Sequence, residues 1–236
     1  MIGLYVSVPV ACFRKGLARE FFETHLLPPP STCYGMLLSL VGETDRRRHR
    51  GCRVTASLLD DPPVSVVLRT MWRVKNKGNA DWPMHPGQNP PSHYPSKIRN
   101  RGGNVVPDFQ QLLTDVRLVL WLDSTDETDT AEQPTLEARV AAALDPRKRH
   151  NVARFGGLSF GESTHLIDEV TPLTRRPDLL GHEARTFVQS TDGQTTLPVW
   201  VDHVGSAGTR YATGSLRRAP LAEPSPDELP RIADAA

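Results

Sequence analysis

The chain has 236 residues, a formal net charge of +1 and 38% hydrophobic residues. That is enough length and apolar content to bury a core, as one large domain or two small ones. The near-neutral balance excludes inferring a partner from bulk charge, and no apolar run reaches membrane-spanning length. The three cysteines, Cys12, Cys33 and Cys52, form no CxxC pair, so neither a zinc ribbon nor a disulfide framework is indicated and reduced thiols are expected. Met1–Pro9 lacks the basic start and long apolar core of a signal peptide. The 21 prolines and 17 glycines predict many turns and loops.

Residues 2–8 read as a strand that Pro9 ends or places at an edge. The connection 11–30 carries Phe13, Arg14, Lys15, Arg19, Phe21 and Phe22, cations beside aromatics that suit either phosphate and base contact or a plain core cover with solvated charges. Pro28-Pro29-Pro30 then holds the backbone extended. A short buried helix follows over Ser31–Val41, capped by Ser31 or Thr32 and stopped by Gly42. Its N-terminus is a candidate anion site, although a capped core helix explains the same residues.

The basic turn Asp45–Gly51 reads as a solvated loop before a strand at 52–59. Asp60-Asp61-Pro62-Pro63 is a turn, and 64–74 is a clear strand. Residues 75–107 have no regular pattern. Lys75, Lys77, Lys97, Arg99 and Arg101 stand there against one acid, Asp81, interleaved with Trp82, His85, His93 and Tyr94. A long one-sided basic loop with aromatics suits a nucleic-acid backbone and its bases. A short helical turn is expected at 108–113, a central strand at 116–122, a polar loop at 123–134, and a helix at 136–144 that Asp145-Pro146 ends.

With 164–171 as a strand, the order strand, helix, strand, strand, helix, strand predicts an α+β ferredoxin-like fold. In it 64–74 is the second core strand, 52–59 an extra one, and the basic loop an insertion before the third. Arg147-Lys148-Arg149-His150 precedes a glycine-rich stretch, Arg154–Ser163, that matches neither GxxxxGK[ST] nor GxGxxG. Its glycines allow close backbone approach to a phosphate. Residues 185–190, 196–203 and 208–215 read as short strands of a small second sheet, and 220–236 as a disordered tail. The expected organisation is a domain at 1–171, a small β region at 172–219 and that tail.

Leu27-Pro28-Pro29-Pro30-Ser31-Thr32-Cys33-Tyr34-Gly35-Met36-Leu37, the basic insertion, and Phe155-Gly156-Gly157-Leu158-Ser159-Phe160-Gly161-Glu162-Ser163 together closely resemble the Cas-five family of CRISPR-associated proteins. The resemblance covers about residues 1–216; the polar 123–134 loop and the tail depart from it without touching the motifs. It implies membership of the repeat-associated (RAMP) superfamily of RNA-binding ferredoxin-like proteins. The implied role is a subunit of a type I CRISPR surveillance complex, Cascade, serving antiviral defence or RNA-guided DNA targeting. Such a subunit holds the 5′ handle of the guide RNA (crRNA) and caps the backbone filament. It contacts the backbone and large subunits and meets target DNA only indirectly. The implied setting is cytoplasmic, with no membrane, cofactor or metal.

By position, residues 75–107 would be the family's thumb. Arg14, Ser31, Thr32, Tyr34 and the 154–161 loop (Arg154, Phe155, Gly156, Gly157) would line the handle site. Arg19, Arg73, Lys75, Lys77, Lys97, Arg99 and Arg101 would add charge, and Tyr34, Trp82, Tyr94 or Phe155 would stack bases. One branch of the family cuts precursor RNA without a metal. Here Tyr34, His85, His93, Lys75 and Lys97 are the available acid–base groups, with Tyr34 and His93 the alternative catalytic pair. The Lys-His dipeptide associated with that branch is absent from the insertion, which favours a binder. The remaining histidines show neither HxH nor HExxH, and Ser163 lacks a GxSxG elbow.

Overall fold

A computed structural model describes residues 1–16, 21–72, 105–127, 134–154, 156–203 and 206–233. In chain order the elements are β1 (Ile2–Ala11), β2 (Phe13–Arg14), β3 (Phe21–Phe22), β4 (Thr24–His25), α1 (Pro30–Leu40), β5 (Arg53–Leu58), β6 (Val64–Trp72) and β7 (Val105–Asp123). After them come α2 (Leu136–Leu144), β8 (Glu169–Pro172), β9 (Glu183–Gln189), β10 (Thr195–Trp200) and β11 (Arg210–Pro220).

β7 is the spine. Its second half pairs with β1 on one side (Ile2 opposite Leu122) and with β5 on the other (Arg53 opposite Asp123). Its first half pairs with β6, from Val64 opposite Leu113 to Trp72 opposite Val105. Across the large, almost wholly antiparallel sheet the path is β10-β11-β9-β5-β7-β1-β8, with β3 and β6 also on β7. The run Val116–Leu122 is apolar at nearly every position because both faces of this strand are covered. Val116, Leu118, Leu120 and Leu122 pack under α1 and α2. Val119 and Trp121 face a second cluster with Tyr5, Leu173, Leu179, Leu221 and Leu229.

α1 starts at Pro30, a residue earlier than expected, with Pro29 as N-cap and no side-chain cap. Proline suits the first helical position because its missing N–H is one the helix cannot use. The Thr32 and Cys33 N–H groups both turn back to the Pro29 carbonyl, at 2.9 and 3.0 Å. Ser31 and Thr32 therefore do not cap; they sit inside the first turn. Gly42 ends the helix as predicted, at φ +70°, and a Cβ there would overlap the Ala153 carbonyl oxygen. α2 matches the predicted bounds, with Thr135 accepting from the Ala138 N–H.

Several expectations are corrected. Residues 108–113 are not a helical turn but β7, because β6 supplies a ladder for them. β5 and β6 exchange the expected roles, since 53–58 pairs beside the β1-facing half of β7 and 64–72 extends the ribbon beyond it. Pro9 does not end β1. Ser7 accepts from the Asp168 N–H on the β8 side, so residue 9 faces the same side, where β1–β8 pairing has ended at Ser7 and no donor is needed. The last core strand is shorter than expected, only Glu169–Pro172. β9–β11 form no second sheet; they join the first through Ser57 opposite Thr186, whose hydroxyls lie 2.6 Å apart. The described part of the tail, 220–233, is packed rather than disordered. The Ile232 N–H donates to Cys52 O at 2.8 Å and the Gly51 N–H to Ile232 O at 2.9 Å, and Leu221, Leu229 and Ile232 are buried. Three well-spaced apolar residues anchor a segment whose average composition is polar.

Candidate nucleic-acid interface

The apolar face of α1 (Cys33, Leu37, Leu38 and Leu40) is buried in the core. Ser31, Gly35 and Ser39 recur every four residues and so share another face. These small residues leave room, and a cleft of about 330 Å³ lies along them. Its remaining walls are Thr32, Tyr34, Arg46, Ser159, Gly161, Trp200, Val201 and His203, with further apolar contacts from Met36, Leu38 and Val199. The cleft thus brings Ser31, Thr32 and Tyr34 together with Ser159 and Gly161 of the glycine-rich stretch, whereas Arg154, Gly156 and Gly157 do not line it. Gly161 adopts φ +91°, and a Cβ there would overlap the Cys12 carbonyl oxygen, so the loop lies tight against the end of β1. Phe160 is buried edge-on to Phe13, with centroids 5.2 Å apart. Gly156 and Gly157 are exposed on the same loop.

Tyr34 does not present its ring. It is 3% exposed and its hydroxyl donates to the Arg46 carbonyl at 2.7 Å. Burial pushes the phenol well above its usual range, so it keeps its proton. It is neither a stacking platform nor a ready base, and it holds the Arg46 turn in place. Arg46 in turn lies over Trp200, 4.1 Å from the ring centroid, and donates to Val201 O at 2.7 Å. Arg46, Trp200 and His203 line the cleft and are not among the residues that the sequence singled out. The basic turn was the available signal, but it read as solvated.

That turn is anchored elsewhere too. His49 is 2% exposed, with Nδ1 2.9 Å from Glu127 and Nε2 2.8 Å from Arg139 Nη1. Arg139 also donates to Glu43 at 2.6 Å and to Val41 O at 3.2 Å, tying the end of α1 to α2. Burial alone would raise the Glu43 pKa. Hydrogen bonds from Arg139, the Asp45 N–H and Arg48 outweigh it and hold the carboxyl at about 2.

Arg14 lies 4.2 Å over the Phe22 ring and 3.5 Å from Glu162. Glu162 also accepts from Arg69 at 2.7 Å and from Gln110 at 2.9 Å, and Arg69 donates to Gln110 as well. This cluster ties the β6–β7 ribbon to the glycine-rich loop, so Arg14 is partly committed to structure. Arg154 does not line the α1 cleft. It is exposed on a second cleft, with Arg149 and His150. Arg19, Arg73, Lys75, Lys77, Trp82, His85, His93, Tyr94, Lys97, Arg99, Arg101 and Phe155 lie outside the described residues. Among the described residues no group of three or more His, Cys, Asp or Glu side chains is gathered as metal ligands would be, and no helix is long and apolar enough to cross a membrane.

A CRISPR-associated protein Cas5 from Myxococcus xanthus (strain DK1622) is 50% identical over 236 residues, covering 98% of this chain and 97% of that one. The chain belongs to the Cas5 family. No family model matches it. The Cas5 fold seen here is shared with a chain of a CRISPR RNA-guided surveillance complex, at TM-score 0.54 and 16% identity over 92% of this chain and 89% of the other. A crystal structure of a Cas protein aligns at TM-score 0.48 and 12% identity, over 98% and 97% of the two chains.

Proposed function

We propose that this Cas5 chain is a non-catalytic, RNA-binding subunit of a type I CRISPR surveillance complex (Cascade), holding the 5′ handle of the crRNA and capping the backbone filament. Its partners are the crRNA, the backbone subunit through the 75–107 insertion, and the large subunit, with target DNA met indirectly. The observation that carries this reading is the α1 cleft. A face of small residues lets a polymer backbone approach, Ser31 and Thr32 offer hydroxyls, and Arg46 held over Trp200 offers a cation. Because the Thr32 and Cys33 N–H groups bond to Pro29 O, phosphate binding here rests chiefly on hydroxyls, helix dipole and guanidinium. Specific RNA readout works mainly on unpaired nucleotides, which a cleft of this size accommodates.

The strand order β8-β1-β7-β5, with α1 after β1 and α2 after β7 and all neighbours antiparallel, supports a ferredoxin-like core. The insertion then leaves from Trp72 and returns at Val105, facing positions at one end of the β6–β7 ribbon. Burial of Tyr34 supports binding over cleavage, since a 2′-hydroxyl needs a base that can shed its proton. Arg46→Ala is expected to weaken binding of handle RNA about tenfold, the value of one charge-assisted contact. Unchanged affinity would refute the site. Precursor repeat RNA incubated with the protein in EDTA should stay intact, and a single specific cut would establish an endoribonuclease instead.

A further inference from the structure

The second cleft, of about 860 Å³, lies on the other side of the 152–158 segment. Its floor is aliphatic, from Leu40, Leu144, Leu158, Ile167 and Val170, and its rim carries Arg149, His150 and Arg154. Among the described lining residues Asp168 is the one carboxylate beside these cations. Arg147 and Lys148 stand beside Arg149 on the turn that follows α2, all exposed. Arginines elsewhere are held by carboxylates, among them Arg53, Arg69, Arg139, Arg185 and Arg217. Among the described residues, no carboxylate pairs with Arg147, Lys148, Arg149 or Arg154.

Three consecutive cations, with Arg154 on the same cleft as Arg149, thus concentrate positive charge without a carboxylate partner among the described residues, beside two acids, Asp168 in the lining and Asp145, whose carboxylate accepts from the Arg147 N–H at 2.9 Å. Their backbone is positioned: the Lys148 and Arg149 N–H groups bond to Asp145 O at 3.0 and 2.9 Å, and Gly42 packs against Ala153 and Arg154. Concave shape and concentrated, pre-positioned positive charge are what a phosphate chain requires.

We infer that the cleft rimmed by Arg149, His150 and Arg154 is a second site, binding the phosphodiester backbone of a single-stranded nucleic acid independently of the α1 cleft. The glycine-rich loop then divides two strand segments. The floor has no aromatic platform among the described residues, so binding here follows backbone charge rather than base identity.

The test uses the full chain with fluorescent U12 RNA and dT12 DNA across a salt series. Arg149→Glu/Arg154→Glu should weaken U12 about tenfold. It should also flatten the log–log salt slope by about 1.4, two phosphate contacts on a single strand. Arg149→Gln/Arg154→Gln should give an intermediate loss with unchanged thermal unfolding. The loss from Arg149→Glu/Arg154→Glu on U12 should keep its size on an Arg46→Ala background, because the two sites bind separately. Equal loss on U12 and dT12 supports recognition of phosphate alone; a larger loss on U12 supports RNA as the source. Unchanged U12 affinity in the charge-reversed variant overturns the inference, whatever handle RNA does. A loss of the same size on the Arg46→Ala background keeps the two sites distinct, a loss abolished there would merge them and overturn the inference, and unaltered handle affinity in Arg46→Ala alone defeats only the α1 reading. Equal competition by polyglutamate of matched charge would overturn nucleic acid in favour of an acidic polypeptide.

Discussion

Replacing Tyr34 by Phe removes one oxygen from a buried position and keeps the ring. The lost bond is the 2.7 Å contact to Arg46 O, at a residue only 3% exposed. A carbonyl that loses its partner costs about 1–3 kcal/mol, and the lower end applies here because the Arg46 turn is half-buried and water can reach it. For a chain of this size, about 1 kcal/mol lowers Tm by roughly 2–4 °C. Thermal unfolding followed by circular dichroism, with urea titration for ΔG, reads both quantities. Handle affinity should fall only modestly, because Arg46 still stacks on Trp200 and still donates to Val201 O. An unchanged Tm would refute the structural role given to the hydroxyl. A cleavage activity present in the native chain and abolished by Tyr34→Phe would refute the non-catalytic reading.

Glu43 sets an acid limit. Its carboxyl is held at about 2, below its unfolded value, so its contribution is complete above about pH 5 and is lost as pH falls towards 2. With the side chain 5% exposed, the contribution is at most about 3 kcal/mol. Urea midpoints between pH 7 and 3 should fall more steeply for the native chain than for Glu43→Gln; parallel curves would count against the Arg139 anchor. Leu229→Ala should cost about 2–4 kcal/mol because this side chain is fully buried in the second apolar cluster, and a neutral result in urea unfolding would mean that 221–233 is not packed.

Much of the framework was legible because its signals are local. Prolines 28–30 and Gly42 bracket α1, Asp145-Pro146 ends α2, and the apolar run Val116–Leu122 is the central strand. The motif pair around Ser31 and Gly161 pointed to the family, and the structure lines both onto one cleft. The rest depends on partners distant in sequence. Asp108–Leu113 has no helix-or-strand preference strong enough to resist the ladder that β6 offers. Arg46 and His49 look like surface cations until Trp200, Glu127 and Arg139 arrive beside them.

By itself, then, the sequence determined where the two long helices lie to within a residue, which strand lies at the centre, and which family the chain resembles. These follow from backbone restrictions at proline and glycine and from periodicities among neighbouring residues. Only the tertiary structure decided that β9–β11 share one sheet with β5, that the tail packs, and that Arg154 parts from Ser31 and Thr32 into a separate cleft. The physical reason is that edge pairing, burial and charge compensation are properties of contacts made across the fold. A cation becomes a binding group only where the folded chain leaves it without a carboxylate.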